Sequence, residues 1–235
     1  MTMNSHPLSR RKLLACAGVS MALPSFAAEP VALNSSFPKD ATEALSRLKE
    51  GNQRFADGKT RHAHTSADWR KQLVNDQKPF ATILGCSDSR VPVELVFDQG
   101  FGDLFVVRVA GNVIAPDVVG SLAYAVAHLA TPLVVVVGHE GCGAVTAAVQ
   151  ALEGSNKEPP GIKALVELIE PGLPKTLKGD NPSQRINSAV EANVRWSITQ
   201  LARLPKAKKA IEKKQITLLG AVYELGTGRV RFLTD

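Results

Sequence analysis

Two short stretches concentrate the reactive side chains of this 235-residue chain. One is Cys86, Ser87, Asp88, Ser89, Arg90; the other is Gly138, His139, Glu140, Gly141, Cys142, Gly143. A histidine and a cysteine three residues apart can share one ion, and the flanking glycines leave the backbone free to wrap it. Zinc takes thiolate and imidazole ligands, and a catalytic zinc typically uses three protein ligands and keeps the fourth position for water. Cys86, His139 and Cys142 make such a set, provided the fold brings Cys86 to the other two. A disulfide between Cys86 and Cys142, or redox use of the pair, are the competing readings of the two thiols. A redox pair would have no use for Asp88, Arg90 and His139 together.

Two other uses of these residues do not fit their spacing. Cytidine-type deaminases also place one histidine and two cysteines on zinc, but they need His-x-Glu followed by Pro-Cys-x-x-Cys. Here Glu140 follows His139 directly, and the chain has no Cys-x-x-Cys. Gly138, Gly141 and Gly143 do not fit the Gly-x-Gly-x-x-Gly dinucleotide fingerprint.

The elements that must position these residues are readable from hydrophobic pattern. Phe80 to Leu84, Leu104 to Val109 and Leu133 to Val137 are short apolar runs, two of them rich in valine, as expected of buried parallel strands. Cys86 follows the first run and His139 follows the third. In an open parallel sheet, ligands bind at the carboxyl ends of strands. Asp40 with Glu43 predicts a capped helix start, an apolar stripe through Leu45, Leu48 and Phe55 continues it, and Gly58 closes it. Further helices are expected over 66–75, 117–129, the stretch after Gly143, 162–169 and 182–204, with a break at Pro171 and Pro174. Residues 216–223 and 229–233 predict a terminal hairpin. The alternation implies a single α/β domain with a central, mostly parallel β-sheet flanked by helices.

The first residues read differently. Ser9, Arg10, Arg11 and Lys12 precede an apolar run from Leu13 to Phe26 and the small residues Ala27 and Ala28. That order predicts a secretory signal over 1–27, and the paired arginines give it the look of the twin-arginine type. The run is well short of the roughly 20 residues a membrane span needs, so no membrane attachment is expected once it is removed. Residues 28–39 read as a linker and 40–235 as the folded domain, with a periplasmic location. Loss of residues 1–27 lowers the formal charge from +6 to +3, since 25 basic residues then face 22 acidic ones. Lys206, Lys208, Lys209, Lys213 and Lys214 are expected on a solvated helix face. Basic residues are not interleaved with aromatics, so no nucleic-acid partner is expected.

The pentapeptide at 86–90, together with Gly-His-x-x-Cys-Gly at 138–143, resembles the zinc signature of the β-class carbonic anhydrases. The likeness extends over Asp98, Gly100, Gly102, Asp103 and residues 105–112, and covers most of 40–235. It implies reversible hydration of carbon dioxide to bicarbonate and a proton by a zinc-bound hydroxide, with one zinc per chain on Cys86, His139 and Cys142. It implies further that Asp88 accepts a hydrogen bond from that hydroxide while Arg90 holds the carboxylate away from the metal. Two thiolates cancel the formal charge of zinc, so water there should be less acidic than on three imidazoles, with activity rising into alkaline pH. Gln77, nine residues before Cys86, matches a family glutamine that donates to bound substrate. Gly111 and Asn112 are expected to shape the same region. Arg108 and Tyr223 match two members of a regulatory bicarbonate-binding trio, but Ile83 stands where the third, a tryptophan, belongs. A homodimer or higher homo-oligomer is implied, with the helix at 40–57 reaching onto a neighbour. The same scaffold also hosts carbonyl sulfide and carbon disulfide hydrolases, and a catalytically silent zinc-binding relative is the remaining alternative. His62 and His64 are expected in a loop, Trp69 and Trp196 in helix packing.

Overall fold

All three apolar runs form strands, but only two are buried on both faces; the run at 104–108, expected to be buried, lies at the sheet edge and is only partly covered. Strand β1 (Ala81–Gly85) and strand β3 (Leu133–His139) are buried at every position, as central strands covered by helices on both sides must be. They sit inside a five-stranded sheet with β2 (Leu104–Arg108), β4 (Thr217–Tyr223) and β5 (Val230–Phe232), in the order β2-β1-β3-β4-β5. The first four are mutually parallel and β5 closes an antiparallel hairpin with β4. This computed structural model describes residues 37–155 and 158–234. The signal expected at 1–27 and most of the linker expected at 28–39 lie outside the described residues.

Successive side chains along a strand point to opposite faces, and the two faces collect different partners. Leu84, Val134, Val136 and Val222 lie in one core with Val118 and Leu122 of α4 (Pro116–His128), Val145 of α5 (Gly143–Leu152), Val166 of α6 (Pro160–Ile169) and Val194 of α7 (Pro182–Arg203). Ile83, Val135, Val137 and Ala221 lie in the other, with Ala44 and Leu48 of α1 (Ala41–Ala56) and Val93, Val96 and Phe97 of α3 (Val93–Val96) and its cap. Of the expected apolar stripe of α1, Leu48 is fully buried in this core and Leu45 and Phe55 pack against it partly buried.

Asp40 caps α1 as expected, accepting from the Thr42 and Glu43 amides at 2.8 and 2.9 Å. Glu43 reaches back to the Lys39 amide and not to that of Asp40. Arg54 and Arg47 then pin α1 to two buried carboxylates. Arg54 Nε donates to Asp98 at 2.6 Å, and Arg47 donates to Asp103 at 3.0 Å while its guanidinium lies 4.6 Å from the Phe80 ring centre.

Several boundaries differ from expectation. The helix expected over 66–75 is α2, only Ala67–Gln72. The four-residue α3 is too short to show a helical period in sequence. The lysine-rich segment forms a separate α8 (Pro205–Glu212), split from α7 at Pro205; Lys213 and Lys214 follow its end. His62 and His64 are in the α1–α2 connection, but His64 does more than occupy it: Nδ1 binds Asp103 at 2.8 Å and the ring stacks on Trp69 at 4.0 Å. Trp196 packs over Gly172 and donates to the Leu168 carbonyl.

Candidate active site

The chain runs from β1 to β2 on one side and then to β3 on the other, so the carboxyl ends of β1 and β3 flank a point where the winding of the sheet reverses. Such a point opens a crevice. Cys86 follows the last residue of β1, His139 ends β3, and Cys142 caps the amino end of α5. Gly141 makes the intervening turn in the left-handed region, at φ 60°. The three ligand atoms lie within 4.8 Å of one another, and all three residues are buried. The two sulfurs are 4.0 Å apart and not bonded as a disulfide.

The donor set fits a soft divalent metal. His139 Nδ1 lies 2.9 Å from the Glu140 carbonyl oxygen, which can only accept, so the proton is on Nδ1 and the Nε2 lone pair is free. Among the described residues, Nε2 of His139 is the buried side-chain nitrogen or oxygen left without a hydrogen-bond partner. An unpaired buried acceptor costs about 1–3 kcal/mol, and this one shares a pocket with two sulfurs. Their mutual hydrogen bond pushes the Cys86 thiol down to about 4, whereas that bond and burial push the Cys142 thiol up.

Asp88 stands beside this cluster, with Oδ2 3.8 Å from His139 Nε2. Arg90 grips its carboxylate with both arms of a fork, Nε to Oδ1 at 2.9 Å and Nη2 to Oδ2 at 2.8 Å, and the Arg90 amide adds a third bond to Oδ1. These bonds hold the Asp88 carboxyl well below the usual carboxylate range.

Matches to known proteins now bear on this geometry. The carbonic anhydrase family model matches residues 81–230. Carbonic anhydrase 2 of Mycobacterium tuberculosis (strain CDC 1551 / Oshkosh) is 40% identical over 187 residues, covering 79% of this chain and 89% of that one. The chain belongs to the carbonic anhydrase family. The carbonic anhydrase of Mycolicibacterium smegmatis is 38% identical over 189 residues, 80% of this chain and 90% of its own. Among solved structures, the β-carbonic anhydrase of Coccomyxa in complex with acetazolamide superposes with a TM-score of 0.65 at 27% identity, over 81% of this chain and 86% of that one. The β-carbonic anhydrase CcaA gives 0.63 at 26% identity, over 81% and 99%. The family is therefore the β class, and the activity these relatives support is carbon dioxide hydration, not hydrolysis of carbonyl sulfide or carbon disulfide.

In this carbonic anhydrase, Cys86, Asp88, Arg90, His139 and Cys142 come together as the sequence predicts. Gln77 does not join them by any hydrogen bond: it lies in an exposed loop where its amide donates to Asp76. Arg108 and Tyr223 end strands β2 and β4, with β1 and β3 between them, and Ile83 is fully buried. Arg108 Nε donates to the Cys86 carbonyl at 2.9 Å and Nη2 to the Asp88 carbonyl at 2.7 Å, so it braces the site loop. Tyr223 is a buried strand residue whose ring packs near Phe55 and whose carbonyl accepts from the Glu140 amide.

Other supports come from Glu140, which sequence reasoning missed, and from Gly111, expected to shape this region. The Glu140 carboxylate accepts from the Leu225 amide at 3.1 Å and from Asn187 at 3.3 Å, tying the His139 turn to the β4–β5 loop and α7. The Gly111 amide donates to Cys86 Sγ at 3.3 Å. The pairing of Gly111 with Asn112 after an apolar run was the available signal for a special turn there.

Proposed function

We propose that the reversible hydration of carbon dioxide runs here on one zinc per chain, held by Cys86 Sγ, His139 Nε2 and Cys142 Sγ. The observation that carries this is the buried, unpaired Nε2 of His139 facing two unbonded sulfurs. Zinc, when bound, supplies the acidity that makes water a nucleophile near neutral pH. Asp88 accepts a hydrogen bond from the attacking water and turns its remaining lone pair toward the carbon of carbon dioxide. Arg90 occupies both oxygens of Asp88, fixing its direction and keeping it from moving onto the ligand cluster. Gln77, with its side chain in solvent, is the candidate donor to substrate, on the strength of its spacing from Cys86.

The test is stopped-flow carbon dioxide hydration with zinc content measured on the same sample. The expected result is activity at about one zinc per chain, with both lost in Cys142→Ser. Full zinc without hydration at pH 7 or pH 9 would overturn the reading.

Export through the twin-arginine route to the periplasm belongs to the same proposal. Bare thiols at 86 and 142 would meet an oxidising compartment unless the protein folds and loads metal first. Arg10→Lys with Arg11→Lys should stop export, and continued export would point to the general secretory route. The edge strand β2 and the exposed apolar residues Leu95, Phe101 and Tyr124 support a homo-oligomer, for which light scattering on the purified protein is the direct check.

A further inference from the structure

The turn that follows β2 has an unusual backbone. Gly111 and Asn112 both lie in the left-handed region, at φ 68° and 44°. A side chain at 111 would press on Ile169 Cδ1 at 2.9 Å and Ala144 Cβ at 3.1 Å, so the position requires glycine on two counts. The Gly111 amide points at Cys86 Sγ, 3.3 Å away. The carbonyl groups of the same turn are held from the other side by α7. Asn193 Nδ2 donates to the Gly111 carbonyl at 2.8 Å, and Ser197, one helical turn later, donates to the Asn112 carbonyl at 3.1 Å. Asn193 and Ser197 are each 1% exposed.

A buried asparagine is costly unless its amide is bonded, and this one bonds the carbonyl of a residue whose own N–H, in the preceding peptide, contacts a sulfur. We propose that Asn193 is a positioning residue for the Cys86 thiolate, acting through Gly111, with Ser197 as its second point of grip on the turn. The proposal rests on the zinc reading of Cys86. Asn193 anchors the Gly111 carbonyl and so holds the left-handed turn in place, and that turn directs the N–H of the preceding peptide at the sulfur, where it stabilises negative charge. Outer partners of this kind typically set metal affinity by about 10–100-fold. The inference concerns a helix distant in sequence from every ligand, with no reactive group of its own.

The test uses the purified protein with Asn193→Leu and with Asn193→Ser, whose hydroxyl is too short to reach the carbonyl and whose small size favours folding. Two quantities are read: the zinc dissociation constant by competition with a chromophoric chelator, and the thiolate-to-metal charge-transfer band after cobalt(II) replacement. Asn52→Leu is the control. Asn52 is also buried, donating to the Val96 and Gly228 carbonyls and accepting from the Val230 amide, far from the ligands in sequence and contact. Both Asn193 variants should weaken zinc by about tenfold or more. The band should move to longer wavelength, since the sulfur lone pair is no longer lowered by its hydrogen bond. Asn52→Leu should lower the melting temperature and leave both readouts where they were. Asn193 variants that melt earlier but keep the zinc affinity and the band would reduce Asn193 to ordinary packing and overturn the proposal. A wild-type protein that binds no zinc would instead overturn the metal reading, which the same titration shows separately.

Discussion

Arg108 holds Cys86 by its backbone: the guanidinium Nε donates to the Cys86 carbonyl oxygen at 2.9 Å. The same side chain donates to the Asp88 carbonyl, so one residue at the end of β2 fixes the turn that carries both a metal ligand and the acidic partner. Arg108→Met should lower kcat/KM about tenfold at unchanged protein concentration, in the range by which outer partners of a metal site matter. Arg108→Lys should recover little, because a point charge cannot span two carbonyls as a planar fork does. Hydration rates normalised to zinc content check both.

Asp88→Asn removes the charged acceptor while keeping the shape of the turn. Its kcat should fall about 100-fold, a typical contribution for a positioned proton acceptor, with zinc content unchanged. Loss of zinc together with activity would show instead that Asp88 maintains the ligand cluster. Metal analysis on the variant distinguishes the two.

Acid stability should depend on Asp98. Burial alone would raise its carboxyl, but the hydrogen bond from Arg54 and those from the Arg61 and His62 amides outweigh burial and hold it below its ordinary value. A carboxyl depressed in the folded state contributes stability above its unfolded pKa, about 3.9, and that stability is lost as pH falls through the lower folded value. Asp98→Asn should therefore cost about 3 kcal/mol at pH 7, since it leaves Arg54 facing a neutral amide in a buried setting. Below about pH 4 the gap to wild type should narrow. Urea unfolding at several pH values measures it.

Two helix glycines should respond with opposite sign to alanine. At Gly51 a methyl would collide with the Phe97 carbonyl, where α1 presses on the turn after α3; at Gly120 in α4 nothing lies within 4 Å. Gly51→Ala should destabilise by about 2 kcal/mol, as overpacking does, despite the better helix propensity of alanine. Gly120→Ala should stabilise by about 0.5–1 kcal/mol. Thermal melts of the two variants side by side give the comparison.

The Cys86–His139–Cys142 cluster, the Asp88–Arg90 pair and the strands beneath them were legible in sequence because each rests on local pattern. Cys86 and His139 each follow a short apolar run, and Asp88 and Arg90 share one turn. What stayed hidden depends on contacts across the fold. Arg108 matches a member of a regulatory trio, but nothing in its sequence neighbourhood announces the two backbone carbonyls its guanidinium binds. Asn193 sits in a helix with other polar residues close by, Glu191 and Arg195 among them, and nothing in the sequence marks it as the one that turns inward to a carbonyl. The helix α3 was missed because four residues cannot display a period, and His64 because its partner Asp103 lies 39 positions away.

The proposed metal ligands are divided between neighbouring strands, one behind β1 and two around the end of β3. A chain in which those strands have not yet paired offers only the His139–Cys142 half, a chelate of two atoms. Tight capture of an ion is thus conditional on a finished seam between β1 and β3, and the captured ion in turn rivets that seam. By linkage, every tenfold in affinity for the folded over the unfolded chain returns about 1.4 kcal/mol to the fold. On the zinc reading, the centre therefore doubles as a checkpoint: a molecule that keeps its metal has, by that fact, kept its central sheet.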